Sequence, residues 1–518
     1  MLGIADLPDE VLERILRICV GKPATCMRNW KSNFLFLRVC RQWRILAVPH
    51  VYSHALIHHN QSDPGGRPLY SNTNVDFILA QSYWQHVRRL SITAMGVSSE
   101  LPALAAIAET LSRQQALFAQ VRCLSVRSMT SSIDNDMPPL ASLSEVAETM
   151  ASALPNVRQL TINSGSVKLL SRTFAGLLAD LLIGALQRLE SGLPMSLGAR
   201  AFSSQLAYLN IALSETGAEH LPRMHARSLK ALTLRCVPRG FSWALFADRM
   251  SEPRVCFAEL CDLAMHYRPP KRECADAGTL SAINIQFPKL RRLRVERLPA
   301  SCKPLFTAEY PPYVEYMYFS GSSDTIRYLK LLRLNRVGSI EVEQLLAYKD
   351  TCHDVYDAAS HVFGAGATDS ISKGALTIRD SVIHASPGRL PWAWLTQLRL
   401  YGCCEFSVLQ DLLWKLPRLQ QLILHGLMTT DTGADASIPA NGRLPPVSST
   451  LARLTLRDSD ECQNLPQMVG SIQRLLLRLP RLARLNLSDN IDIDRNFIDS
   501  HAQLYPHLRS LCIKVYDY

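Results

Sequence analysis

The chain has 518 residues, of which 47% are hydrophobic and 19% charged, with a formal net charge of +11. That balance fits a folded protein and excludes a disordered one, and the length exceeds what one hydrophobic core usually organises, so several domains or an elongated repeat are expected. No run approaches the roughly twenty apolar residues of a membrane span, and the N-terminus lacks the basic-then-apolar layout of a signal peptide, so the expected location is cytoplasmic or nuclear. The 14 cysteines are scattered with no Cys-x-x-Cys, which fits reduced thiols.

The first expected element is a helix capped by Asp6. Pro8 falls in its first turn, where a missing N–H has no partner to lose. Val11, Leu12, Ile15 and Leu16 recur at helical spacing and form one apolar stripe. In a second helix Phe36, Val39, Cys40, Trp43 and Leu46 share a face, Arg38, Arg41 and Arg44 turn to solvent, and Pro49 ends the element. Short amphipathic helices in about fifty residues bury little surface alone, which leaves an apolar face for a partner or for the following domain.

Two strings carry a family resemblance: Leu7-Pro8-Asp9-Glu10-Val11-Leu12-Glu13-Arg14-Ile15-Leu16, and Leu37-Arg38-Val39-Cys40-Arg41-Gln42-Trp43-Arg44-Ile45-Leu46-Ala47. Together they resemble an F-box over roughly residues 4 to 53. The chain departs from the family at 21–33, where Gly21 to Asn33 stands in place of a short polar turn ending in Asp-Leu. The resemblance implies a Skp-type adaptor as partner, with cullin and RING subunits bound through it, and adaptor contacts at Leu7, Pro8, Val11, Leu12, Ile15, Leu16, Val39 and Trp43. Residues 1–60 are therefore read as an F-box-like helical domain and 61–84 as a linker.

From residue 85 to 518 a pattern returns: apolar, two variable, apolar, one variable, apolar. Leu482-Ala483-Arg484-Leu485-Asn486-Leu487-Ser488-Asp489-Asn490 matches the leucine-rich-repeat consensus in full, and Leu395 to Cys403 matches with the permitted cysteine at its end. Looser copies begin at Val87, Val121, Val157, Leu206, Leu229, Leu260, Leu290, Val314, Leu419, Leu451 and Leu508. The connections Leu101 to Ala119, Leu143 to Leu154, Phe406 to Leu416, Leu465 to Leu479 and Phe497 to Leu504 carry apolar residues at helical spacing. The expected fold is α/β: a small all-helical F-box, then an irregular leucine-rich-repeat solenoid with parallel strands inside and helices outside. Irregular inserts are expected near 337–394, with a flexible stretch at Phe363 to Thr368, and at 429–450.

Catalytic signatures are missing: there is no Gly-x-Ser-x-Gly, no phosphate-loop string and no His-Glu-x-x-His. Cys256, Cys261 and Cys274 with His266 make a poor zinc set, since Cys261 and His266 fall on an expected strand. The chain is read as a non-enzyme with no cofactor and no metal. Lys and Arg are spread through every repeat rather than gathered in a run, which argues against nucleic acid.

In each repeat, positions 1, 4 and 6 point to the core and positions 3, 5 and 7 to the open face of the strands. The open positions include Arg89, Arg127, Arg235, Arg292, Arg294, Arg399, Arg453, Arg457, Arg484 and Lys514, with Tyr208, Tyr316, Tyr318, Tyr401 and His425 among them. Arg399, Arg453, Arg457 and Arg484 are expected to converge on an acidic or phosphorylated protein substrate, with Tyr316 and Tyr318 as a second contact strip. The whole reads as the substrate-recognition subunit of an SCF-type ubiquitin ligase. Two alternatives stand beside it: a leucine-rich-repeat scaffold that recruits no ligase, and a nucleic-acid-associated solenoid.

Overall fold

Asp9 and Glu10 open helix α1 (Asp9–Val20) and Arg17 lies in its last turn, an order that suits the helix dipole at both ends. The Pro8 carbonyl accepts from the Val11 and Leu12 N–H groups at 3.0 and 3.1 Å, so Pro8 stands at the entry rather than inside the first turn. The region expected to form one further helix is two elements, a 3-10 turn over Asn33–Arg38 and helix α2 (Arg41–Val51). Cys40 separates them as the α2 N-cap, its sulfur accepting from the Trp43 N–H at 3.5 Å. Pro49 does not end α2 but lies in its last turn; a proline there removes a single backbone bond, and the chain turns at Tyr52.

This structure is a computed structural model that describes residues 7–20, 33–61, 74–96, 100–130, 140–164, 169–195, 205–213, 226–237, 241, 243–246, 254–267, 284–298, 303–321, 337–344, 371–378, 382–383, 395–401, 403–425, 427–428, 446, 448–456, 475–476, 478–488 and 510–514. It divides into two units, Met1–Leu260 and Cys261–Tyr518. Among the described residues no helix is long and apolar enough to cross a membrane.

In the first unit seven strands pair in parallel and in chain order: β1 (His54–Gln61), β2 (Arg89–Gly96), β3 (Cys123–Thr130), β4 (Gln159–Ser164), β5 (Arg188–Met195), β6 (Tyr208–Leu213) and β7 (Ala231–Val237). Parallel neighbours need crossovers, and helices supply them: α3 (Glu100–Arg113), α4 (Leu140–Ala153) and α5 (Leu169–Leu182). Leu124, Leu160 and Leu189 stand in one row of the register and are buried, as are Leu111, Met150 and Leu178 of those helices. After β7 an aromatic group fills the core instead, with Phe246 and Phe257 centroids 5.1 Å apart and Trp243 packed on both.

The ladder starts earlier than the sequence pattern indicates. Strand β1 lies in the segment read as the end of the helical domain and pairs with β2 from His54 through Gln61. Its motif was disguised, since Tyr52, Ala55 and Ile57 occupy the three apolar positions. The segment read as a linker also has structural work: fully buried Asn74 accepts from the Leu56 N–H at 2.6 Å and donates to the His54 carbonyl at 2.9 Å. It thereby satisfies backbone groups that β1 does not share with β2.

In the second unit ten strands likewise run parallel and in order: β8 (Asp262–Tyr267), β9 (Arg292–Leu298), β10 (Val314–Gly321), β11 (Val337–Gln344), β12 (Ile371–Ile378), β13 (Leu395–Leu400), β14 (Gln421–Leu424), β15 (Arg453–Leu456), β16 (Arg484–Ser488) and β17 (Ser510–Lys514). The insert expected at 337–394 thus supplies two strands of the ladder. Val337, Ile340 and Val342 fit the repeat pattern and are buried. In β12 Gly374 takes the second apolar position and weakens the signal. A Cβ at Gly338 would stand 2.6 Å from the Glu315 carbonyl, so β10 and β11 approach as closely as they do only with glycine there. Helix α6 (Phe406–Lys415) follows β13 as expected. Phe363 to Thr368, nearly all of 429–450, and the connections at 465–474 and 497–504 lie outside the described residues.

Candidate functional site

Side chains on strands alternate between two faces, and parallel pairing sets equivalent repeat positions side by side. In the second unit Leu293, Met317, Ile340, Leu398, Leu422, Leu454 and Leu485 are buried on one face. The other face is polar and knitted together. Asp262 Oδ1 accepts from Arg292 Nε at 2.6 Å. Glu296 meets His266 Nδ1 at 2.6 Å through one oxygen and accepts from Arg294 Nε at 2.7 Å through the other. The Arg294 guanidinium lies over the Tyr318 ring, 5.0 Å from its centroid, a cation–π placement.

Tyr316 and Tyr318 each reach one pleat along the next strand, because a phenol is long enough to lean to the diagonal neighbour. Tyr316 donates to Glu341 Oε2 at 3.2 Å, and Tyr318 donates to Glu343. Glu341 also faces Arg399 Nη1 at 3.7 Å. Desolvation, then the Glu341 carboxylate, pushes the Tyr316 hydroxyl up to about 12; desolvation and the bond to Glu343 push Tyr318 up as well. Both phenols therefore stay protonated donors near neutral pH. Burial alone would raise the Glu296 carboxyl, but its bonds to His266 and Arg294 outweigh that and hold it below its ordinary value.

The expected arginine cluster does not assemble as a set. Arg399 turns toward Glu341, away from the later strands. Arg453 and Arg484 are register partners on β15 and β16 and are exposed, whereas Arg399 aligns with Ile423 and so sits one pleat further along. Arg457 lies outside the described residues. Tyr316 and Tyr318 do lie together as a strip, committed to carboxylates of the same sheet, and Tyr318 is 9% exposed. Beyond β13, Tyr401 stacks on His425 with centroids 4.0 Å apart.

The expected adaptor residues divide by burial. Leu12, Leu16 and Trp43 are inside the helical pair, at 0%, 0% and 6% exposure; Phe36 stacks on Trp43, and Gln42 donates to Asp9 at 2.5 Å across the two helices. Leu7 and Ile15 are half-buried, and Pro8, Val11 and Val39 are exposed. The apolar side chains left uncovered here are Val11, Ile18, Leu35, Val39 and Ile45, the last four at 54–68% exposure. Ile18, Leu35 and Ile45 were not expected in this role. Their places on the faces opposite the buried stripes were available in the sequence as a signal.

Sequence reasoning missed a charged surface in the first unit. Arg122 N–H donates to the Arg88 carbonyl at 2.9 Å, Arg158 N–H to the Arg122 carbonyl at 2.8 Å, and Gln187 N–H to the Arg158 carbonyl at 2.7 Å. The residues just ahead of the strands thus form a row, with Arg89 and Arg188 in the row beside it. All five arginines are exposed, as are Arg127, Lys230 and Arg235. Strands β1 to β7 contain one carboxylate, Glu190, which lies 3.6 Å from Arg188 Nη2. Arg88 Nη1 donates to the neutral Gln85 and Val87 carbonyls at 2.7 and 3.0 Å. Cys123 sits amid this group: burial pushes its thiol up against the opposing pull of Arg89, Arg122 and Arg188.

Among the described residues no group of His, Cys, Asp and Glu side chains is arranged to hold a metal ion, and His266 is engaged by Glu296. The chain matches no known protein-family model and no curated protein.

Proposed function

We propose that this chain is the substrate-recognition subunit of an SCF-type ubiquitin ligase, with the N-terminal helices acting as an F-box and the parallel-strand units as a leucine-rich-repeat solenoid that holds a protein substrate. The observation that carries the reading is the N-terminal helical pair: Leu12, Leu16, Trp43 and Ala47 make its core, while Val11, Ile18, Val39 and Ile45 stay uncovered. A small domain that leaves large aliphatic side chains in water is built to have them covered. In this role the chain supplies proximity, raising the effective concentration of substrate lysines near a charged thioester bound elsewhere in the assembly.

Copurification with a Skp-type adaptor tests the proposal. The full chain should form a complex with the adaptor, and Ile18→Glu with Ile45→Glu should abolish it while the circular dichroism spectrum stays unchanged, because a carboxylate buried unpaired in an interface costs several kcal/mol. A complex retained by the double variant, or none formed by the wild type, turns the reading toward a scaffold without ligase recruitment. Leu12→Asp is unsuited to the test, since it would place the charge inside the helical pair.

A further inference from the structure

We propose that the arginine row of the first unit binds an extended acidic segment of a protein partner, with Arg88, Arg122, Arg158 and Arg188 receiving its carboxylate or phosphate groups. The inference deepens the substrate-receptor reading and rests on it for taking the occupant to be a protein; the charge argument stands by itself.

Four consecutive rungs each bring a cation to the same end of the strands, Arg88, Arg122 and Arg158 in one row and Arg188 one residue further on in the row beside it, and neighbouring rungs of a parallel sheet are roughly 4.8 Å apart. Like charges at that spacing repel one another, so the row is favourable only with an anion opposite it. On the strands of this unit that anion is missing, apart from Glu190 beside Arg188. From Arg88 to Arg188 is three rungs, roughly 14 Å, the reach of about four residues of extended chain. Guanidinium groups match carboxylate and phosphate in pairs, and Gln159, the register partner of Arg188, and Asn163, the register partner of Arg127, offer amides to a peptide backbone. A single-stranded nucleic acid wants successive aromatic platforms for its bases. Tyr208, 43% exposed and covered by Arg188 at 5.6 Å, is the one aromatic residue on strands β1 to β7.

The test is a fluorescence-anisotropy titration of the full chain with three labelled probes: a short Glu-rich peptide, a peptide of equal length carrying phosphoserines, and a single-stranded oligonucleotide of equal charge. Both peptides, or the phosphorylated one alone, should bind, and affinity should fall steeply with added salt. Arg122→Glu with Arg158→Glu and Arg188→Glu should weaken binding at least about tenfold, and Arg122→Gln with Arg158→Gln should weaken it less, with a melting temperature no lower than that of wild type. Arg453→Glu with Arg484→Glu should leave it unaltered. The proposal is overturned if neither peptide binds, if the Gln pair binds as well as wild type, if the Arg453 and Arg484 variant loses as much, or if the oligonucleotide binds more tightly than either peptide. Adaptor copurification uses none of these residues, so either experiment can fail while the other succeeds.

Discussion

The parallel strands of the two units share a design on one face and part company on the other. Both bury a row of leucine, isoleucine, methionine and valine. On the polar face of β8 to β13 in the second unit, carboxylates and cations pair across and along the strands: Asp262 with Arg292, Glu296 with Arg294 and His266, Glu341 with Arg399. The strands of the first unit carry cations over much of the ladder and, among their own residues, one carboxylate, Glu190 beside Arg188. A face whose charges are paired is electrically finished and gains little from a charged ligand; a face of one sign is attractive to an oppositely charged chain. The repeat pattern alone does not distinguish the two, because arginine recurs in both.

If the difference is confined to the polar faces, core truncations should cost the same in each unit. Leu160→Ala and Leu293→Ala, both at fully buried positions, are each expected to destabilise by about 3 kcal/mol in urea denaturation. A loss well under 1 kcal/mol in one unit would mean that its core is packed differently.

A second contrast lies in acid. Burial, then the charge of Arg89, lowers His54 from 6.5 to about 4, and its Nε2 lies 2.6 Å from Ser91 Oγ. Between those pH values the unfolded chain binds a proton that the folded chain refuses, so stability falls as pH drops through the window, by about 2 kcal/mol between neutrality and roughly pH 5. His54→Gln should flatten that part of the stability profile. Glu296 in the second unit works lower down: its depressed carboxyl contributes stability above its ordinary value of 4.5, and the contribution is lost as pH falls through the folded value. Glu296→Gln should therefore remove the part of the acid loss that lies below its ordinary value of 4.5; an unchanged loss there would break the assignment.

The smaller effects concern the charges themselves. Arg294→Gln removes a guanidinium from Glu296 and from the Tyr318 ring, and is expected to destabilise by about 1 kcal/mol after allowance for solvent screening. Arg122→Gln with Arg158→Gln should do the opposite, raising stability by a few tenths of a kcal/mol at low ionic strength and by nothing at high salt. A loss of stability in that pair would mean that the row is compensated within the protein, and would remove the reason to look for a partner.

Much of the strand order was legible in the sequence, because Leu-x-x-Leu-x-Leu carries its own register. Rungs were missed where an apolar slot held an unusual residue: Tyr52 and Ala55 in β1, Ser191 at the third slot of β5, and Gly374 in β12. Val337, Ile340 and Val342 fit the pattern, but the sequence around them has no regular spacing to mark them as a rung. The sequence names a set of open-face positions, but pairing across strands depends on side-chain reach. Nothing in the sequence says that Arg399 will turn to Glu341 rather than toward Arg453. The arginine row was hidden for the opposite reason: its members lie 30 or more residues apart in the chain, and only the register places Arg88, Arg122 and Arg158 side by side. In the N-terminal helices the apolar stripe was plain, yet Leu12, Leu16 and Trp43 of it face inward, and the surface left to a partner is made of Val11 and Val39 at its margins with Ile18, Leu35 and Ile45.

A row assembled from one residue per rung is adjustable in single steps. Exchanging Arg158 for a neutral residue alters one charge at one place along the edge, while Val157 and Leu160, which hold the core, keep their positions. Descendants of this chain can therefore strengthen, weaken or shift their grip on an acidic partner by separate point changes, each nearly neutral for folding, and selectivity can drift while the scaffold stays put.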